Sequence, residues 1–529
     1  MPRVSVLAQA LLWVGVSWSL QAQSPSQPAS RWWSEVSYLA DDSMLGRETG
    51  SETGHKAAVH IAEMFRQAGL QPCGTKGYLQ PIRLTARRIV EDKSSLSLVH
   101  NGASEPLVQG EEAVFNMRVA QAPSLVAPVV FAGYGLTVPE MGYDDLAGLD
   151  LKGKVVLLLT GGPSSIAAPL LSHYQTQRWE FLRRAGALGE MQIQNPHKMD
   201  IPWDRSKLRR LMPQMVLADQ SLNQTAGEQL AIVINPAHAE KLFVGSGHTF
   251  QEMLALAETG RPLPRFALPV TLRASVTTQT WKVDAENVVG LLPGTDPRLK
   301  DEYVVLSSHF DHLGVGEPAR GDSIYNGAMD NAAGVATLME TAAAMHESKT
   351  NLRRSVVFLA VTAEEKGMLG SKYFAAHPTV PAKGIVADVN VDMFLPLFPL
   401  KRLMVQGLDE SDLGVDARSA AAAMKIEVVP DPEPQRDSFT RSDQYSFVKR
   451  GIPSVALKEG FLKDTPEQEI VKRWRTERYH GPADDLNQPI DLQAAADFNR
   501  VYLSLVETIA NRSERPKWNA NSFFRRFAP

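Results

Sequence analysis

Short apolar runs alternate with amphipathic segments through the second half of the chain. The runs are rich in Val, Ile and Leu, as buried strands are, and they lie at 303–306, 355–361, 385–391, 403–406, 426–429 and 454–457. Helical periodicity follows from Gly334 and again over residues 492–509. This alternation predicts an α/β fold whose mixed, mostly parallel sheet is flanked by helices.

The first half of the chain has a different pattern. Residues 31–70 predict two helices with a polar turn between them, and residues 78–120 alternate weakly, as short strands do. Apolar strands between Pro-rich breaks predict a separate β-rich unit. The predicted organisation is a main domain formed by residues 24–126 and 276–515, an insert at 127–275, and a loose, basic C-terminal tail at 516–529.

The N-terminus resembles an export signal. Arg3 precedes an apolar run over residues 4–20, and Leu-Gln-Ala at 20–22 is an acceptable cleavage site. We therefore predict a signal peptide at residues 1–22 and an exported protein. An uncleaved membrane anchor is the alternative, but the run is short for a span and is interrupted by Gly15 and Ser17.

Composition narrows the function classes. The formal net charge of -4 provides no electrostatic case for nucleic acid. No segment after the N-terminal run is long and apolar enough to predict an integral membrane helix. The single cysteine, Cys73, excludes an intramolecular disulfide and a Cys-rich zinc site. An exported protein without disulfides fits the periplasm or exterior of a bacterium.

Ligand-type residues stand where the predicted strands end. His309 closes the first run, and Asp330 stands just before the next helix begins. Sites in open α/β sheets form at the carboxyl ends of strands, and imidazole and carboxylate both suit zinc. His309 and Asp330 are therefore candidate metal ligands. Asp311 is placed to hold the His309 imidazole from outside the metal shell.

Later strand ends repeat this pattern. Glu364 and Glu365 follow one strand, Asp392 follows the next, and His480 stands in a polar loop near the C-terminus. Hydrolysis assisted by two metals needs a bridging carboxylate, further ligands and a separate base. Each residue alone has an ordinary explanation, such as a solvated turn, a helix cap or a loop position. Their recurrence at successive strand ends favours a metal site.

These segments resemble peptidase family M28, a family of zinc aminopeptidases and carboxypeptidases. The matching pieces are His-Phe-Asp at 309–311, Gly-Ala-Met-Asp-Asn-Ala-Ala-Gly at 327–334, Ala-Glu-Glu-Lys-Gly-Met-Leu-Gly-Ser at 363–371, Val-Asp at 391–392, Arg-Ser-Asp at 441–443 and Tyr-His-Gly-Pro-Ala-Asp at 479–484. Residues 41–54 resemble the N-terminal segment of the family. The insert is similar in placement and texture to the protease-associated (PA) domain of many members.

The resemblance implies a site for two Zn²⁺ ions and a catalytic role for the main domain. Its metal ligands are His309, Asp330, Glu365, Asp392 and His480, and Asp330 bridges the two ions. In the same pattern His309 and Asp392 complete one shell, and Glu365 and His480 complete the other.

The resemblance also implies catalytic roles for three further residues. Glu364 is the general base that takes a proton from the zinc-activated water and passes it to the leaving amine. Asp311 orients His309, and Tyr479 hydrogen-bonds the tetrahedral oxyanion. One position departs from the family pattern, because Gln444 follows Arg-Ser-Asp where many bacterial members have His.

Three functions stay open at this point. The first is an exported aminopeptidase acting on peptide or protein N-termini. The second is a carboxypeptidase or dipeptidase with the same centre, which would need basic groups for a carboxylate in place of acidic groups for an amine. The third is a non-catalytic, receptor-like binding protein, against which the complete ligand set counts. Residue preference and oligomeric state are not predicted.

Overall fold

The computed structural model describes residues 26–436 and 438–528, so the predicted signal peptide lies outside the described residues. The strands are β1 (Gln71–Pro72), β2 (Leu79–Ile89), β3 (Ser95–His100), β4 (Ala103–Pro106), β5 (Ala113–Phe115), β6 (Ser124–Ala132), β7 (Thr137–Val138), β8 (Tyr143–Asp144), β9 (Val155–Leu159), β10 (Gly189–Ile193), β11 (Gln214–Leu217), β12 (Leu230–Ile234), β13 (Arg265–Ser275), β14 (Thr278–Leu292), β15 (Tyr303–His309), β16 (Gly314–Ala319), β17 (Asp322–Tyr325), β18 (Ser355–Val361), β19 (Ile385–Val391), β20 (Arg402–Gln406), β21 (Glu427–Val429) and β22 (Ser454–Glu459).

The α-helices are α1 (Gln27–Leu39), α2 (Glu52–Gln67), α3 (Ala168–Arg184), α4 (Trp203–Ser206), α5 (Phe250–Glu258), α6 (Ala333–Glu347), α7 (Leu369–Ala376), α8 (Leu413–Ala422), α9 (Gln444–Val448), α10 (Pro466–Glu477) and α11 (Leu492–Asn511).

The main domain is built on a ten-stranded mixed sheet. Its strand order is β11-β2-β14-β18-β15-β19-β22-β20-β21, and β1 also pairs with β14. The central strands β18, β15, β19 and β22 are parallel, whereas β14 and β20 join them antiparallel. The predicted α/β fold with a mixed sheet and flanking helices is confirmed, with the parallel pairs concentrated at the centre.

Both faces of the central strands are buried. Val304 and Leu306 of β15 face a large core that helices α1, α2, α6 and α11 complete, and Val305 faces a smaller core with Phe374 of α7 and Phe447 of α9. Successive strand residues point to opposite faces, so a strand covered on both sides reads as a continuous apolar run. The same parallel arrangement ends β15, β18 and β19 at one edge of the sheet.

A second unit has its own sheet and core. Its eight strands run in the order β4-β3-β13-β6-β9-β10-β12-β5, and its core includes Phe131, Leu157, Met191 and Ile232. Strands β3 to β5 of this sheet come from residues 95–115, which precede the predicted insert. Its other strands come from residues 124–275. Val and Leu are the commonest residues of these strands, and their side chains supply much of this second core.

The second unit is fastened to the main sheet. Its strand β11 pairs antiparallel with β2, with Gln214 opposite Arg87 and Leu217 opposite Leu84. Beside this strand, the ammonium of Lys366 donates to the carbonyl oxygen of Pro213 at 3.0 Å. The second unit and the main domain therefore share backbone hydrogen bonds.

The C-terminal tail is packed against the protein, so the prediction of a loose tail was wrong. Residues 523–527 form a short 3₁₀ helix, and Phe524 is fully buried beside Tyr445 and Trp518. The indole of Trp518 donates to the carbonyl of Gly451 at 2.9 Å. The basic residues dominated the sequence pattern, but the aromatic residues between them provide the apolar area that docks the tail.

Substitution Phe524→Ala should lower the free energy of unfolding by about 3–5 kcal/mol, the usual cost of truncating a buried Phe. Urea denaturation followed by tryptophan fluorescence measures the change. The neighbouring Arg525→Ala is the control, because Arg525 is exposed and should change stability by less than about 0.5 kcal/mol. Equal denaturation midpoints for the Phe524 variant and the wild type would show that the tail does not contribute to the core.

No helix within residues 26–436 and 438–528 is long and apolar enough to cross a membrane.

Candidate metal centre

Five of the residues singled out by the sequence meet at the carboxyl edge of the central strands. His309 is the last residue of β15, Glu365 follows β18, Asp392 follows β19, Asp330 precedes α6, and His480 lies in the loop after α10. The first four are buried and His480 is largely so. Parallel strands place their carboxyl ends at one edge, which explains how residues far apart in the chain converge.

Asp330 stands at the middle of the group. Its Oδ1 lies 3.3 Å from Nε2 of His309, and its Oδ2 lies 3.1 Å from Nε2 of His480. His309 Nε2 is also 3.5 Å from Oδ1 of Asp392, and His480 Nε2 is 3.2 Å from Oε1 of Glu365. The two carboxylate oxygens of Asp330 thus face two separate ligand sets.

His312 adds a second imidazole to one of these sets. Its Nδ1 lies 2.9 Å from Oε1 of Glu365. His312, Asp330 and Glu365 together form one cluster of residues whose ligand atoms lie close enough to hold a metal ion. The other cluster consists of His309, Asp330 and Asp392. His480 Nε2 is close to Asp330 and Glu365 alike, so His312 and His480 both approach the second cluster.

The donor set fits zinc. Ligand atoms at about 2.0–2.1 Å from a tetrahedral Zn²⁺ stand about 3.3 Å from one another, and four of the contacts above measure 3.1–3.5 Å. Asp330 Oδ2, Asp392 Oδ1 and Glu365 Oε1 are buried and accept no regular hydrogen bond from the described part of the chain. Burying an unpaired carboxylate is costly, and a cation between the two ligand sets would offset that cost.

Buried polar contacts hold Asp330 in place. The carboxylate of Asp484 accepts the backbone N–H groups of Met329 and Asp330, both at 3.0 Å. The buried guanidinium of Arg47 donates to the carbonyl oxygens of Asn326 and Gly327 just before this segment. These contacts fix the backbone that carries the shared carboxylate.

Asn331 joins the ends of two strands to α6. Its side-chain amide donates to the hydroxyl of Ser308 at 2.9 Å and to the carbonyl of Val391 at 3.0 Å. Its oxygen accepts from the N–H of Gly334 at 3.1 Å. Ser308 and Val391 directly precede His309 and Asp392, and Asn331 itself directly follows Asp330.

Asp311 contacts the centre differently from the sequence prediction. His309 Nδ1 lies 3.1 Å from the backbone carbonyl of Asp311 and 3.8 Å from its carboxylate. The carboxylate instead accepts the N–H of Glu364 at 3.0 Å and the hydroxyl of Thr49 at 2.9 Å. The Asp311 backbone therefore orients His309, and its side chain anchors the turn that carries Glu364.

The adjacent glutamates have opposite electrostatic environments. Burial raises the pKa of Glu364 well above its ordinary value, and the nearby carboxylates of Asp443 and Glu365 add to the effect. Burial acts in the same direction on Glu365, but His480 and His312 outweigh it and hold the pKa of Glu365 well below its ordinary value. A raised pKa suits Glu364 to carry a proton, and a lowered pKa suits Glu365 to stay ionised.

A cavity of about 950 Å³ opens onto the centre. Glu364, Glu365, Tyr479 and His480 line one side of it. The ring of Tyr479 stacks on that of His480, with centroids 3.9 Å apart. The predicted base and the predicted oxyanion partner thus share a chamber with the metal ligands, and this chamber is large enough for a small ligand.

Sequence reasoning missed residues that touch the centre. His312 directly follows Asp311, so the sequence did indicate a second imidazole in the same strand-end loop. Arg209 contacts Nδ1 of His480 at 2.8 Å, and Arg118 donates to the carbonyl of Glu365 at 3.1 Å. Both arginines come from remote segments, and nothing in their local sequence indicates that they reach this site.

Residues 287–506 match the model of peptidase family M28. A probable leucine aminopeptidase 2 of Aspergillus oryzae is 26% identical over 300 residues, covering 53% of this chain and 54% of the relative. A glutamate carboxypeptidase 2 homolog of Caenorhabditis elegans is 22% identical over 481 residues, covering 79% of this chain and 58% of the relative. The chain spans about half the length of the curated relatives it matches.

An aminopeptidase from Aneurinibacillus sp. strain AM-1 has a similar structure. The TM-score is 0.56 at 18% sequence identity, and the match covers 93% of this chain and 98% of the other. At this identity the likeness concerns the fold. It extends over nearly the whole chain, the second unit included.

Proposed function

We propose that this protein, whose residues 287–506 match the model of peptidase family M28, is a zinc-dependent exopeptidase acting as an aminopeptidase on peptide or protein N-termini. The observation that carries the proposal is the position of Asp330, whose two oxygens face two ligand sets beside a cavity that also holds Glu364. A receptor without catalytic function would have no need of this complete set.

The residues that would hold two Zn²⁺ ions divide at Asp330. His309 and Asp392 complete one set, and Glu365 and His480 complete the other. His480 is preferred to His312 as the second imidazole because its Nε2 lies near Asp330 and Glu365 alike, which leaves His312 to orient Glu365. When bound, zinc supplies Lewis acidity, which lowers the pKa of water and polarises a peptide carbonyl.

The remaining steps belong to the side chains. Glu364 takes a proton from the attacking water and returns it to the amine that leaves. Asp311 holds the backbone of Glu364 in place through the N–H contact at 3.0 Å. The Tyr479 hydroxyl donates a hydrogen bond to the oxyanion that forms on the carbonyl carbon.

The second unit is proposed to be a PA-like domain that roofs the cavity. Its residues Arg118, Arg178 and Arg209 line the cavity, and Arg118 and Arg209 contact Glu365 and His480 there. Export also forms part of the proposal, supported by Arg3 and the apolar run at residues 4–20. N-terminal sequencing of the protein recovered from the expressing cells tests this point.

Metal removal tests the proposal directly. The purified protein should contain about two zinc ions per chain and hydrolyse aminoacyl-4-nitroanilides. Dialysis against EDTA should abolish hydrolysis, and added Zn²⁺ should restore it, because no other group in the centre supplies a Lewis acid. Elemental analysis and a nitroaniline assay measure both quantities on one sample. A folded protein that retains no metal would contradict the catalytic proposal.

A further inference from the structure

The cavity over the metal centre is strongly basic. Eight Arg or Lys side chains line it, against four carboxylates. Two of those carboxylates, Glu364 and Glu365, belong to the centre itself. The positive charge is therefore concentrated on the walls and roof that a substrate would meet.

Part of that charge is neutralised within the cavity wall. Asp200 pairs with Arg436 at 3.0 Å and with Arg441 at 3.3 Å, and Glu433 pairs with Arg475 at 2.7 Å. Both carboxylates outside the centre are thus already engaged by arginines. Neither is free to receive the ammonium group of a substrate.

Three of the arginines that line the cavity, all of them in the second unit, have no carboxylate partner within 4.0 Å among the residues that the structure describes. These are Arg118, Arg178 and Arg209. Arg178 is only 7% exposed, and its Nε has no hydrogen-bond partner in the described part of the chain. Glu364 and Glu365 act on Arg118, and Glu190 acts on Arg178, only from beyond 4.0 Å, so neither of these two buried guanidinium groups has a direct anionic partner, which is costly.

Arg118 and Arg209 stand directly beside the catalytic residues. Arg118 reaches the carbonyl of Glu365, and Gly367 leaves space for its guanidinium, since a Cβ there would lie 3.2 Å from Nη1. Arg209 lies at Nδ1 of His480. If Nε2 of His480 binds a metal, Nδ1 carries the ring proton and cannot accept from Arg209. The Arg209 guanidinium would then need another acceptor.

We propose that Arg118 and Arg209 bind a carboxylate of the substrate, close to the peptide bond that is cleaved. This assignment rests on the proposed peptidase function and adds a substrate class to it. An arginine presents N–H groups in a planar fork that matches a carboxylate, and such charge-assisted pairs are stronger than neutral ones. The anion comes either from an acidic terminal side chain or from the α-carboxylate of a dipeptide.

Matched substrate pairs distinguish the two sources. Glutamyl-4-nitroanilide is compared with glutaminyl-4-nitroanilide for the side chain, and leucyl-alanine is compared with leucyl-alaninamide for the α-carboxylate. Each pair differs in one charge at almost constant size. We expect the anionic member of one pair to be preferred by about tenfold or more in kcat/KM.

The variants Arg118→Gln and Arg209→Gln should each bring that preference close to one. The ratio within a pair is compared in every variant, so a general loss of activity does not affect the result. Arg118→Lys retains the charge without the fork and should restore only part of the preference. Arg436→Gln is the matched control, because it removes the same charge from the same cavity at a guanidinium held by Asp200.

A binding measurement separates this proposal from the peptidase function. Zinc-loaded Glu364→Ala is titrated calorimetrically with L-glutamate against L-glutamine, and with glycyl-leucine against glycyl-leucinamide. Preferential binding of one anionic member supports the carboxylate subsite even if no substrate is cleaved. Equal binding and equal kcat/KM within both pairs would overturn it and leave the peptidase function intact. If Arg118→Gln fails to fold, Arg209→Gln decides the outcome.

Discussion

Substitution Asp330→Asn should remove both metal ions and the activity together. Asp330 is the one residue common to the two ligand clusters, and its oxygens face His309 and His480 separately. A neutral amide cannot replace a carboxylate that neutralises two cations. The loss in kcat/KM should exceed the factor of about 10–100 that outer-shell residues of metal sites cause. Elemental analysis after equilibrium dialysis measures the zinc content.

The matched controls for this substitution lie on either side of the shared carboxylate. Asp392→Asn changes a ligand of the first set only, and Glu365→Gln changes a ligand of the second set only. Each should leave about one zinc ion in place. An Asp330 variant that retained two ions, or an Asp392 variant that lost both, would show that the two sets are not joined through Asp330.

Substitution Glu364→Ala should reduce kcat by about 10²–10⁴, the usual contribution of a general base, while the zinc content stays unchanged. Glu364 lines the cavity but belongs to neither metal cluster, so its removal should affect proton transfer without affecting metal binding. The kcat for an aminoacyl-4-nitroanilide and the zinc content of the same preparation test both parts of the prediction.

Glu469→Ala controls for the loss of a glutamate as such, because Glu469 is exposed on α10. Its kcat should equal that of the wild type. A wild-type kcat in the Glu364 variant would show that another group acts as the base. A Glu364 variant without zinc would assign the residue to metal binding in place of proton transfer.

The central strands could be predicted from the sequence because a strand that is buried on both faces is a continuous apolar run. The strand at 385–391 was predicted with the same ends as β19, and the helix at 492–509 lies within α11. The C-terminal tail was misjudged because one buried side chain, Phe524, determines its packing. Its aromatic residues, Trp518, Phe523, Phe524 and Phe527, stand among basic and polar residues without a periodic pattern.

The residues of the candidate site also differ in how far the sequence predicts their positions. His309 ends a strand, and Glu365 and Asp392 come after strands, so their convergence at one edge of the sheet was predictable. Arg118 and Arg209 reach the centre only because the second unit packs over it, and that packing depends on contacts between distant segments. The role of Asp311 was partly misassigned because a backbone carbonyl and a carboxylate of one residue are equivalent in a sequence pattern but not in space.

The pairing of β11 with β2 also determines what would happen if the second unit were removed from the main domain. It covers residues 84–87 of β2, which would otherwise form part of the outer edge of the ten-stranded sheet. An uncovered edge strand presents unpaired N–H and C=O groups to other chains and promotes aggregation. A shortened chain without the insert would therefore lose solubility as well as the roof of its cavity, which makes the insert a protective part of the main sheet.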